Sequence, residues 1–165
     1  MLRHLLLALV VLLSFAGMAA ALEPAGPVLL TVDGAIAPSR DGRAVRLDRE
    51  MMMSLGVETI HTTTIWTEGE QTFTGMPLVN LLDALGVSSG TLKAVAVNDY
   101  AVEIPVTDAV EGGPIIAWER NGSTMSVRDK GPLWLVYPFD SVPAYQSEVI
   151  YSRSIWQLDR ITVEP

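Results

Sequence analysis

Apolar positions in this chain fall into one long run, several short runs and a single helical stripe, and each pattern predicts a different element. The long run is Leu5–Ala16. Beyond it, Val28–Val32 reads as an apolar strand ending at Asp33-Gly34, and Ala44-Val45-Arg46-Leu47 alternates as a half-buried strand does. Asp48 is an N-cap residue for a short helix through Met51, Met52, Met53 and Leu55, closed by Gly56. Three consecutive methionines span most of a helix circumference, so they cannot face one ion together and read as core filling.

Val57–Trp66 is rich in β-branched residues, Glu68-Gly69-Glu70 turns the chain, and Gln71–Thr74 returns it. Gly75-Met76-Pro77 then leads into a helix whose Leu78, Leu81, Leu82 and Leu85 form one buried stripe, with Gly86 at its exit. Leu92–Val97 and Ala101–Ile104 are two strands around Asn98-Asp99-Tyr100, and Thr107 is placed to cap a single turn over Asp108–Val110. Ile115–Glu119 and Ser123–Val127 flank Asn121-Gly122, a strong hairpin signal. Leu133–Tyr137 is a buried-type strand stopped by Pro138, and Ile155–Val163 is a closing strand. The sum is an α+β fold, a mixed β-sheet domain with a few short helices.

The first run changes the picture of where this domain works. Met1-Leu-Arg-His, the apolar run and Gly17–Ala21 have the anatomy of a secretory signal peptide over residues 1–21, with Ala19-x-Ala21 as the cleavage site. Residues 22–27 then read as a linker and 28–165 as the domain, periplasmic or secreted. An uncleaved leader would instead anchor it to a membrane. Loss of residues 1–21 removes Arg3 and moves the formal charge from −8 to −9. So acidic a surface argues against nucleic acid and anionic lipid as partners. The chain contains no cysteine, so the exported domain is held by its core alone, and thiolate chemistry is excluded.

Little catalytic patterning remains. The sequence has no glycine-rich phosphate loop and no Gly-x-Ser-x-Gly elbow, and a serine triad would depend on His61, the one histidine beyond the leader. Carboxylates are the main remaining metal donors, and none has the spacing of a calcium loop. Strand alternation puts His61 and Thr63 on one face and Thr62, Thr64 and Trp66 on the other.

Several ordered segments are similar to one family. Thr74-Gly75-Met76-Pro77-Leu78 with Leu81-Leu82 and Leu85-Gly86 resembles the aromatic-x-Gly-x-Pro-Leu-x-x-Leu-Leu segment of the oxidoreductase molybdopterin-binding domain, the sulfite oxidase fold. Asn98-Asp99-Tyr100 with Ile104-Pro105, the stretch Lys130–Pro138, and Arg153-Ser154-Ile155 with Ile161-Thr162-Val163 resemble later steps of the same domain, the last two its closing strand. The resemblance implies a molybdopterin cofactor whose metal is held by a cysteine shortly upstream of Gly-x-Pro-Leu. That neighbourhood here is Thr62, Thr63 and Thr64, and a hydroxyl is a poor substitute for a thiolate.

Trp134 stands where the family has an arginine, and Trp156 aligns without gaps with a family lysine. His61, Thr63, Arg128, Lys130 and Arg153 are left as candidate contacts to a cofactor phosphate, with no metal ligand among them. Two functions follow from the resemblance. One is an exported non-catalytic or atypical domain binding a small anionic or polar ligand or a periplasmic protein. The other is a molybdopterin-dependent oxidoreductase whose metal is not ligated by cysteine.

Overall fold

A computed structural model describes residues 23–37 and 44–165, so the leader over residues 1–21 lies outside the described residues. Ten strands form two sheets, and three short helices join them, among the described residues. The first sheet has the order β2(Val45–Leu47), β1(Leu30–Gly34), β10(Leu158–Glu164), β5(Thr91–Ala96), β6(Ala101–Pro105). Its only parallel pair is β1 with β10, in which Val32 lies opposite Ile161. The second sheet runs β3(Glu58–Thr62), β4(Gln71–Pro77), β7(Ile115–Arg120). The far edge of β7 is shared by β8(Ser123–Thr124) and β9(Trp134–Val136). One buried cluster draws on both sheets, from Leu30 and Val32 through Phe73 and Ile116 to Val163.

Local chemistry accounts for most boundaries. The Asp48 carboxylate caps α1(Arg49–Ser54) by accepting from Met51 N–H at 2.9 Å, and it also accepts from Gly26 N–H at 2.8 Å. These two amides, Met51 first, hold the Asp48 carboxyl below its ordinary range. Residues 23–27 are therefore tied to the body of the domain at Gly26. Within the methionine triplet Met52 is fully buried and Met53 is exposed, as the helical period requires. In α2(Leu78–Ala84) the leucine stripe is buried, and the Leu78 amide left over at its start donates to Pro114 C=O at 3.0 Å. Asn121 and Gly122 both take positive φ, the geometry a two-residue hairpin turn demands.

Gly75 explains why the β4 segment carries glycine. A Cβ there would lie 2.2 Å from the Ile116 carbonyl oxygen and 2.5 Å from Ala117 Cα, so only glycine lets β4 approach β7 where their register shifts.

Several details differ from the sequence expectation; among them, the strand expected over Val57–Trp66 ends at Thr62, so Thr64 and Trp66 lie in a turn and do not share a strand face with Thr62. Residues 148–153 form a helix, α3(Glu148–Arg153), capped by Ser147, so Arg153 ends a helix rather than entering the closing strand, which starts at Leu158. The turn after β6 spans Val106–Asp108 and has no side-chain cap from Thr107, because Pro105 fixes the entry. Val127 leaves the hairpin for a single 3-10 turn over Val127–Asp129.

Candidate functional site

The threonine triplet closes a loop rather than facing a cavity. β3 ends at Thr62, which is fully buried; its hydroxyl donates to Thr63 C=O at 3.1 Å and accepts from Asp140 N–H at 3.2 Å. Thr63 is exposed and points both its N–H and its hydroxyl at the Asp140 carboxylate, at 2.6 and 2.8 Å. These donors, the Thr63 amide foremost, hold the Asp140 carboxyl below its ordinary range. The Thr64 hydroxyl accepts from Trp66 N–H at 3.1 Å and pairs with the Thr67 hydroxyl at 2.8 Å, a local turn that presents the Trp66 ring. Among the described residues His61, on the exposed face of β3, bonds Thr72, whose hydroxyl lies 3.1 Å from its Nδ1.

Beyond that turn the molecule builds an aromatic cluster. Trp134 on β9 is fully buried and donates its indole N–H to Ser154 C=O at 3.2 Å. It meets Trp66, Phe73 and Trp156 edge-on, at centroid separations of 5.9, 5.2 and 6.1 Å. An isolated backbone bridge also joins Trp134 to Trp156. Trp66 packs edge-on against Trp156 at 5.5 Å and Tyr151 at 5.9 Å. The two positions where the resemblance puts cations are thus neighbours, and both are tryptophan.

The nominated cations do not converge. Lys130 lays its ammonium over the Trp156 ring, 4.0 Å from the centroid, a cation–π contact. Arg153 is paired with Asp108, NH1 to Oδ2 at 2.9 Å, and Asp108 also accepts the Tyr137 hydroxyl at 2.7 Å. Burial, reinforced by that carboxylate, pushes the Tyr137 phenol far above its ordinary value, so it stays protonated as a donor. Arg128 is exposed on the Val127–Asp129 turn.

Two clefts, of about 420 and 410 Å³, indent the surface, and neither is lined by His61, Thr63, Arg128, Lys130 or Arg153. The first runs beside the aromatic cluster, between Trp66, Asn98, Tyr100, Glu148, Tyr151 and Trp156. Sequence reasoning did not assemble this cleft, because its walls come from the turn after β3, the β5–β6 turn, and α3 with the loop beyond it. Nothing local in the sequence links those segments.

The donor chemistry does not fit a cysteine-ligated molybdopterin. The chain has no thiol, and Thr62 is buried with its hydroxyl already used twice. A threonine alkoxide is not reached at ordinary pH. Among the described residues, no group of three or more His, Asp or Glu side chains is placed to hold a metal. Lys130 and Arg153 are engaged elsewhere, so these two nominated cations do not converge on a phosphate.

A family model for the oxidoreductase molybdopterin binding domain matches residues 46–147, more than half of the chain. The match spans β3, α2, β9 and the threonine triplet, and leaves α3, Trp156 and β10 outside it. No curated protein matches the chain.

Proposed function

The chain belongs to the oxidoreductase molybdopterin-binding domain family, and from that premise we propose that it is an exported member which keeps the fold as a binding domain and does not run metal chemistry. Its family implies a molybdopterin cofactor. The observation that carries our reading is the Trp66–Trp134–Trp156 cluster, in which buried Trp134 and half-buried Trp156 take the positions where the resemblance puts cations. Buried Thr62 in place of a thiolate points the same way. The domain works in the periplasm, delivered by residues 1–21, and takes a small polar ligand in the cleft beside Trp66 and Trp156. Glu148 is the one acid or base among that cleft's lining, which weighs against an anionic ligand.

Elemental analysis for molybdenum and tungsten, with a pterin fluorescence assay, tests this on protein exported by its native host. Well-folded protein should carry far less than one equivalent of either metal or pterin. Stoichiometric metal and pterin would overturn the reading in favour of an oxidoreductase that holds its metal without cysteine.

A further inference from the structure

Resting on the binding-domain reading, we propose that the cleft between Trp66, Tyr100, Tyr151 and Trp156 takes a small organic cation, an ammonium or quaternary ammonium group on an apolar body. Its volume of about 420 Å³ lies in the range of small-molecule sites. Trp66 stands nearly perpendicular to both Tyr151, at 82°, and Trp156, at 77°, so rings from the turn after β3 and from α3 with the loop beyond it make the corners of a box. An aromatic face carries partial negative charge, and boxes of such rings recognise quaternary ammonium groups. Glu148 adds a full negative charge at the rim, and no lysine or arginine lines the cleft. Asn98 adds a neutral polar group to the lining.

Trp156 already carries the Lys130 ammonium, 4.0 Å from its centroid, so the ligand cation is met chiefly by Trp66, Tyr100 and Tyr151 with Glu148. The formal charge of −8 raises the local concentration of cations over that of anions. An anionic ligand would be opposed by both Glu148 and the net charge.

Calorimetric titration with benzyltrimethylammonium and choline tests the inference, with 3,3-dimethylbutan-1-ol as the uncharged isostere of choline. The charged probes should bind saturably, and choline at least about tenfold more tightly than its isostere. Tyr100→Ala, at a ring that is 58% exposed, and Glu148→Gln, at the exposed start of α3, should each weaken binding roughly three- to tenfold. Both lie outside the buried core, so a folded variant is expected. An isostere that binds as tightly as choline, or variants that bind as tightly as the parent, would overturn the cation assignment and leave the binding-domain reading standing. No binding of either cation at millimolar concentration would overturn it as well. Failure of the binding-domain reading shows separately, as stoichiometric molybdenum and pterin.

Discussion

Trp134→Arg puts back the residue type that the resemblance places at this position, and it should unfold the domain rather than open a cofactor site. The Trp134 ring is fully buried and touches three other aromatic rings. Truncating a buried tryptophan costs roughly 3–5 kcal/mol, and each lost edge-to-face pair adds about 0.5–1.5 kcal/mol. The indole N–H bond to Ser154 C=O goes too, leaving a buried carbonyl without its donor. The incoming guanidinium would meet the Lys130 ammonium, a like charge, which sits 5.6 Å from the Trp134 centroid. An unpaired buried charge adds several kcal/mol more. Domains of this size are stable by about 5–15 kcal/mol in all.

Urea unfolding followed by near-ultraviolet circular dichroism is the assay, with Trp134→Phe as the control. Phenylalanine keeps a ring and loses only the N–H and some volume, so it should cost about 1–3 kcal/mol and retain a cooperative transition. Trp134→Arg should lose most or all of the cooperative transition. A Trp134→Arg protein that unfolds cooperatively within about 1 kcal/mol of the parent would refute the reasoning. It would mean that the cluster tolerates a cation and water, as a cofactor pocket does.

Two further predictions follow from the same geometry. The Asp140 carboxyl titrates below its ordinary value of 3.8 in the folded state, so the folded protein binds fewer protons than the unfolded chain in that window. The stability it contributes is complete above pH about 4 and is lost as pH falls through the folded value. Asp140→Asn should therefore flatten the acid limb of a stability profile taken from pH about 5 to about 2.5, leaving the part due to Asp48, which has the same sign. Superimposable acid limbs for parent and variant would count against the clasp. Gly75→Ala should cost about 3 kcal/mol or more in urea unfolding, because the new methyl meets the β7 backbone at 2.2 Å. Gly69→Ala, where a Cβ meets nothing within 4 Å and only the positive φ resists, should cost about 1 kcal/mol. Equal losses at the two glycines would show that close approach is not why Gly75 is needed.

What could be read from the sequence was what short-range chemistry decides. The Asp48 cap, the Leu78–Leu85 stripe and the Asn121-Gly122 turn each state their structure within a few residues, and each is present. Helix α3 was not legible. Glu148-Val149-Ile150-Tyr151 mixes β-branched and aromatic residues that favour strands as readily as helices, and its start rests on a Ser147 cap bonded at 3.4 Å. That miss also hid the cleft, because Glu148 and Tyr151 enter it from α3. Thr63 bonds Asp140, far away in sequence, and no local pattern could have named that carboxylate.

The same long-range logic binds Trp134 and Trp156 to one another. They stand on separate segments, outside each other's sequence neighbourhood, and touch through an edge-on ring contact and a backbone bridge. A cation at either position is tolerable only while an anion is bound between them; without it, each charge is buried against a tryptophan or against its like. Conversely, two packed rings supply no charge of their own to hold a phosphate, and the Lys130 ammonium beside them is spent on their faces. Residues 134 and 156 and the ligand can therefore be exchanged only as a set, and intermediate combinations carry the penalty that Trp134→Arg is expected to show. In this chain both positions are aromatic and there is no thiol, and the combination is self-consistent as packed structure, with Trp134 wholly inside and Trp156 alone of the pair reaching the cleft.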